Sequence, residues 1–292
     1  MPPTPAPTLP RCYRHPDRET GRSCTRCGKP ACSDCLIPAS VGSHCLDCTK
    51  AARPDVKTRA RYWNAKQNIL VTYSIMAINI AVFIYTSVAD PDSLSNRRGL
   101  TQAQCDLGLS KVIMQEVVGC GTKLYQPTEW YRLISSGFLH YGIIHIAFNM
   151  LLLFQLGQLI EPAVGRLRFG ALYFASLLGG SLGVLIANDG GLSGGASGAV
   201  FGLMAAAAIG LHRRGVNVFS TGIGTTLVLN FVLTFAIDGI SIGGHLGGAA
   251  AGAVCGFVML APKWRPVPKW ATIAMPLGVA LIAIIGSVVI VG

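Results

Sequence analysis

Two short stretches of this chain place a reactive residue among residues with almost no side chain. They are Gly194-Gly195-Ala196-Ser197-Gly198 and Gly244-His245-Leu246-Gly247-Gly248. Polar side chains are costly in an apolar medium, and glycine lets helix backbones approach closely. A serine and a histidine carried together on two such segments make a nucleophile and its general base. His145 and Asn149 stand four residues apart, on one face of a helix, where such a pair can also serve as plain interhelical hydrogen bonding. Glu161 lies between Gly157 and Gly165 in the same run.

A second constellation occupies the start of the chain. Seven of the ten cysteines fall between positions 12 and 48, in the pairs Cys12-x2-His15, Cys24-x2-Cys27, Cys32-x2-Cys35 and Cys45-x2-Cys48. A two-residue gap lets both members of a pair reach one metal, and four thiolate or imidazole ligands close a tetrahedral zinc site. Eight ligands predict two structural zinc ions. Alternation would put Cys12, His15, Cys32 and Cys35 on one ion and Cys24, Cys27, Cys45 and Cys48 on the other. His44 is a substitute ligand to weigh against these, and a disulfide framework is the competing reading. A reducing cytosol disfavours the disulfides. The spacing resembles the B-box and related zinc modules, but it ends in Cys-x2-Cys where the usual B-box has histidines, so the pairing stays open. By that analogy the module binds a protein partner.

The elements that must carry the serine and histidine are apolar. Of 292 residues, 51% are hydrophobic and 13% charged, against about 25% charged in a soluble domain. Apolar runs occur at about 68–89, 141–160, 169–187, 197–211, 218–236, 241–260 and 271–290. Crossing a ~30 Å hydrocarbon core takes roughly 20 helical residues. The run from Ser197 is short, so its N-terminus is expected inside the membrane plane. The net charge of +11 sits largely in clusters beside these runs, which is a topology signal; no nucleic-acid partner is expected. The clusters Arg53 to Lys66, Arg166 with Arg168, Arg213 with Arg214, and Lys263 to Lys269 fall on one side if every run spans. That side is the cytosol, which leaves the N-terminus cytosolic, the C-terminus outside, and residues 90–140 outside. Cys105 and Cys120 then face an oxidising compartment and can pair, the alternative being two free thiols. Cys255 reads as a small packing residue. The prolines of the first ten residues predict a leader without a cleavable signal peptide, so the first run acts as an uncleaved anchor.

From about residue 68 onward the chain resembles the rhomboid intramembrane serine proteases. The resemblance rests on Gly195-Ala196-Ser197-Gly198, His145-x3-Asn149, Gly157-x3-Glu161-x3-Gly165 and His245 followed by Gly248, in this order on successive runs. It implies an all-α membrane bundle, with a six-helix core at 68–260 and an added helix within 261–292. A leader (1–10), a small cytosolic zinc module (11–50) and a basic linker (51–67) precede it. It further implies that Ser197 is the nucleophile, His245 the general base, and His145, Asn149 and the Ser197 N–H the oxyanion hole, with Phe201 stacked on the histidine. No acidic third member stands beside His245; Asp238 reads as a solvated loop residue. Two departures are visible: Tyr131-Arg132 where the family often has Trp-Arg, and Gly244 where it often has Ala. The implied activity is endoproteolysis of transmembrane segments of other proteins in the lipid bilayer of a plasma membrane. Competing readings are a rhomboid-like protein that binds membrane clients without cutting them, and a transporter with a broken fourth helix. The latter lacks a second copy of the break.

Overall fold

The computed structural model describes residues 8–53, 55, 69–91, 100–120, 122–188, 191–236 and 239–292. Most of the proline-rich leader, most of the basic linker and Asp238 lie outside these. The chain divides into two compact units, Met1–Gln67 and Asn68–Gly292.

The first unit is small. Strands β1 (Leu36–Pro38) and β2 (Ser43–Cys45) pair antiparallel, with Leu36 opposite Cys45. Gly42 turns the hairpin at φ +70°. Helix α1 (Leu46–Ala51) follows at once, with the Cys45 sulfur accepting the Cys48 N–H as its cap. The buried interior is Cys12, Cys24, Cys32, Cys35 and Cys45, with Ala31 and Leu36 as the apolar remainder. A unit of this size cannot stabilise itself by burying so little hydrocarbon and needs cross-links or metals.

In the second unit each predicted apolar run is a helix. They are α2 (Leu70–Ala89), α6 (Ile143–Val164), α7 (Arg166–Ala187), α8 (Ser197–His212), α9 (Ile223–Ala236), α10 (Ile242–Met259) and α11 (Ala271–Val291). Five are long and apolar enough to cross a membrane; α8 and α9, with 16 and 14 residues, are shorter. The fifth run starts later than the sequence suggests. Val218–Thr221 is a 3-10 turn in which the Ser220 and Thr221 hydroxyls bond back to Asn217 and Val218 carbonyls, and Gly222 at φ +77° precedes α9. Exposed side chains such as Ile84 and Val88 on α2, Val232 and Phe235 on α9, and Leu281 and Val289 on α11 form the apolar belt of a multi-pass membrane protein.

The connection between α2 and α6 is more ordered than its sequence announces. It holds α3 (Gln102–Leu107), α4 (Lys111–Gln115), the hairpin of β3 (Val118–Cys120) with β4 (Lys123–Tyr125), and α5 (Arg132–Ser135). A Cys105–Cys120 disulfide closes it. Arg132 is fully buried at its centre, donating to Glu129 Oε2 (2.6 and 2.8 Å), Cys105 O (2.6 Å) and Gly108 O (2.7 Å). Near it, burial alone would raise the Asp106 carboxyl, but the Tyr125 hydroxyl and Lys123 ammonium bonded to it hold it below the usual range.

Three polar anchors and one apolar seam assemble the bundle. No side chain of its own caps α2; instead Glu161 of α6 accepts the Val71 and Thr72 N–H groups (2.9 and 2.8 Å) and the Thr72 hydroxyl (2.7 Å). A carboxylate at a helix N-terminus meets both orphan donors and the positive dipole end. Gly157 makes the space, since a Cβ there would lie 2.2 Å from Thr72 Oγ1. At the end of the bundle bearing the ordered connection, Gln115 donates to the Val291 carbonyl (3.1 Å). At the opposite end Arg168 Nε bonds Thr272 Oγ1 (2.7 Å).

The seam is where α7, α8 and α10 meet backbone to backbone. A Cβ on Gly248 would fall 2.0 Å from Gly198 O, one on Gly252 2.0 Å from Gly202 O, and one on Gly183 2.0 Å from Gly243 O. Gly252→Ala is therefore expected to lower stability by about 1–3 kcal/mol, read as a lower Tm in detergent. Gly278→Ala, at a helical glycine with open space around it, should leave Tm unchanged or raise it.

Candidate active site and metal-binding groups

Ser197 opens α8, whose first-turn N–H groups have no carbonyl partner within the helix and no side-chain cap. The segment before it is fixed from outside the helix. Leu109 and Ser193 exchange two backbone bonds (2.9 and 2.7 Å), Gly195 N–H donates to Ser136 O (2.8 Å), and the Tyr141 hydroxyl donates to Leu192 O (2.7 Å). The ordered connection held by Arg132 thus sets the height and direction at which the serine enters.

His245 sits in the first turn of α10 and is 7% exposed. Its Nε2 lies 2.7 Å from Ser197 Oγ. Its ring stacks on Phe201 of α8, with centroids 4.1 Å apart and planes 18° from parallel. On the far side Nδ1 lies 2.7 Å from Thr234 Oγ1 of α9. Nothing in the sequence singles out Thr234.

His145 is held in the complementary sense. Its Nδ1 accepts the Tyr141 N–H (3.3 Å) and its ring lies parallel to that of Tyr141, 6.2 Å away. With Nδ1 accepting, the neutral ring carries its proton on Nε2. That nitrogen borders Gly195, where a Cβ would lie 2.9 Å from His145 Nε2 and 3.6 Å from Ser197 Oγ. The small space above Gly195 is therefore within reach of both a nucleophile and a donor, as a tetrahedral oxyanion requires. Asn149 lies one turn along from His145, and its Nδ2 donates to His145 O (3.0 Å). Among the described residues no bond joins Asn149 to Ser197 or His245. His140, which nothing in the sequence sets apart, is buried 5.1 Å from the His145 ring, and its Nε2 has no partner among the described residues.

In the first unit the cysteines form two groups, Cys12–His15–Cys32–Cys35 and Cys24–Cys27–Cys45–Cys48, with the donor atoms of each within 4.8 Å of one another. This is the alternating arrangement, and His44 is in neither group. His15 Nδ1 lies 3.4 Å from the Cys32 and Cys35 sulfurs, and the Cys27 and Cys45 sulfurs are 3.7 Å apart. Those are edges of a tetrahedron whose centre is about 2.3 Å from each sulfur, the length of a metal–thiolate bond. Burial would raise the thiols of Cys12 and Cys24, but surrounding backbone N–H groups, those of Cys32 and Cys45 foremost, bring each down to about 6. Cys35 is pushed up to about 11 by burial and by the neighbouring Cys12 and Cys32. The Cys27 and Cys45 side chains, with burial, push Cys48 up to about 12. Three or four thiols this close cannot all ionise beside one another without a cation among them, so the donor set fits a metal ion in each group.

A Cβ on Gly195 would sit between His145 and Ser197 at a backbone φ of +134°, so Gly195→Ala is expected to strain the turn and crowd the Ser197 hydroxyl. Labelling of Ser197 by a fluorophosphonate should slow at least tenfold, a conservative fraction of what one lost oxyanion donor costs.

Comparison with known proteins finds relatives of this region. Residues 127–262 match the model of the Rhomboid domain. The rhomboid protease GluP of Bacillus subtilis (strain 168) is 33% identical over 136 residues, 44% of this chain and 27% of that protein. RHOMBOID-like protein 4 of Arabidopsis thaliana is 39% identical over 99 residues, 34% of this chain and 25% of that one. Rhomboid-type serine protease 2 of Emericella nidulans is 41% identical over 80 residues, 27% of this chain and 16% of that protein. The chain thus spans about a third or less of the length of each of these relatives. Residues 127–262, which match the Rhomboid domain, contain Arg132, His145, Asn149, Ser197 and His245.

Proposed function

We propose that this chain is an intramembrane serine endopeptidase that cleaves transmembrane segments of other membrane proteins. The observation that carries the proposal is the 2.7 Å contact between Ser197 Oγ and His245 Nε2, partly buried between helices at the N-terminus of α8. In this reading His245 Nε2 takes the hydroxyl proton as Ser197 attacks the peptide carbonyl carbon. The oxyanion forms in the space above Gly195, facing His145 Nε2–H, the Ser197 N–H and the remaining amide N–H of Asn149. His245 returns the proton to the leaving amine, and water, activated by the same ring, releases the acyl group from Ser197. A substrate helix must locally unwind to present its carbonyl, so helix-destabilising residues near the cut are expected.

The unit at 11–50 holds two zinc ions, on Cys12, His15, Cys32 and Cys35 and on Cys24, Cys27, Cys45 and Cys48. With every ligand position filled by protein, they stabilise the unit and take no part in catalysis. The membrane core spans 68–260, followed by one further helix within 261–292. The basic clusters put the N-terminus in the cytosol and the Cys105–Cys120 loop and C-terminus outside a plasma membrane. The zinc unit is suited to a protein partner.

Cleavage of a transmembrane reporter in liposomes tests the dyad. Ser197→Ala and His245→Ala should each lower kcat by roughly 10³-fold or more with unchanged Tm, and full activity in either variant would sink the assignment. A zinc chelator should abolish amide-exchange protection over residues 11–50 while cleavage continues. Loss of all cleavage on deleting residues 1–50 would contradict that separation.

A further inference from the structure

We infer that Thr234 is a positioning residue for the base, standing where a water-soluble serine protease uses a carboxylate. This deepens the proposed proteolytic reading and rests on it. The Thr234 hydroxyl has one proton and two neighbours. Thr234 Oγ1 is 2.7 Å from the carbonyl oxygen of Asn230, one turn back in α9, and 2.7 Å from His245 Nδ1. The carbonyl has no proton to give, so the hydroxyl must donate to it. An oxygen pair at 2.7 Å with no proton between would be repulsive. The hydroxyl therefore accepts at its other side, and His245 Nδ1 carries the proton.

That assignment decides the chemistry at the other nitrogen. With hydrogen on Nδ1, the lone pair of the neutral ring is on Nε2, which faces Ser197 Oγ at 2.7 Å. The opposite tautomer would point an N–H at the serine and leave no base. Rotation of the ring is blocked as well, since Phe201 stacks on its face and Phe231, three residues before Thr234 on α9, packs edge-on against Phe201 at 5.1 Å. Asn230 continues the same stripe, its Nδ2 donating to Thr226 O (2.8 Å). The side of α9 facing the dyad thus carries Phe231 and Thr234, while Val228, Leu229, Val232, Leu233 and Phe235 are exposed.

A hydroxyl suits this depth better than an acid. A carboxylate buried among apolar helices is expensive to keep ionised. A threonine bonded back to its own helix brings one polar atom already satisfied on its donor side. It orients the imidazole without adding a charge.

The test uses full-length protein in liposomes with a transmembrane reporter. Thr234→Val keeps the shape and removes the hydroxyl, and Thr234→Ser keeps the hydroxyl. Should Val disturb α9, Thr234→Ala serves in its place. We expect Val to lower kcat roughly 10–100-fold, within what base catalysis contributes, with KM within about twofold. Ser should return kcat to within about threefold of wild type. In protein carrying 15N-histidine, the His245 signals should show protonated Nδ1 in wild type and Ser, and a mixed or reversed tautomer in Val. Wild-type kcat in Val, or an unchanged 15N pattern, overturns the inference. If wild type cleaves no faster than Ser197→Ala, the proteolytic reading falls, and the 15N comparison still decides the role of Thr234.

Discussion

Helices α8 and α10 touch through their backbones, and the distance between Ser197 and His245 follows from that contact. Lipid offers helices no hydrophobic reason to associate, because the tails are as apolar as leucine. What remains is close packing, which strengthens as axes approach and is limited by the first side chain that intervenes. At Gly198 against Gly248, and Gly202 against Gly252, nothing intervenes, and a methyl group would fall inside a carbonyl oxygen. Ser197 adjoins the first of these contacts in sequence, and His245 is three residues from its partner. A shift of α10 by the width of one Cβ would stretch a 2.7 Å hydrogen bond beyond reach. Glycine therefore sets the distance between the proposed nucleophile and its base, and α7 locks the pair from behind through Gly179, Gly180 and Gly183.

The ordered connection before α6 performs the equivalent task for the approach to Ser197. A guanidinium with no solvent exposure is tolerable when its donors find fixed acceptors, and Arg132 finds Glu129 and two carbonyls of one turn. That turn, Cys105 to Gly108, leads into Leu109, which pairs with Ser193. Four residues later comes the serine. Arg132 holds that turn through its guanidinium, and from Leu109 to Ser193 the link is made by hydrogen bonds between backbone groups.

What could be read from the sequence was whatever violated its surroundings. Ser197, His245, His145, Asn149 and Glu161 stand out because polar residues in apolar runs need a reason to be there. The two metal-binding groups stand out because a two-residue gap recurs four times. Thr234 does not stand out. Threonine is at home in membrane helices, and its role emerges only when α9 is laid beside α10. His140 was overshadowed by His145 although the rings are 5.1 Å apart. The β3–β4 hairpin and the short helices around it are too brief to leave a periodic pattern. The late start of α9 reflects Ser220 and Thr221, whose hydroxyls favour local turns over helix.

The two histidines at the site show how hydrogen-bond direction, more than residue identity, assigns function. Both are neutral rings between helices, and either could in principle donate or accept. A backbone N–H, that of Tyr141, can only donate, so His145 Nδ1 must accept and its Nε2 becomes a donor. A threonine hydroxyl committed to a carbonyl can only accept further, so His245 Nδ1 must donate and its Nε2 becomes a base. The commitments come from different elements, one from the start of α6 and one from α9. Neither needs an ionised group within the membrane. The site thereby separates a proton acceptor facing Ser197 from a proton donor facing the space above Gly195, which is the division of labour that acyl transfer requires.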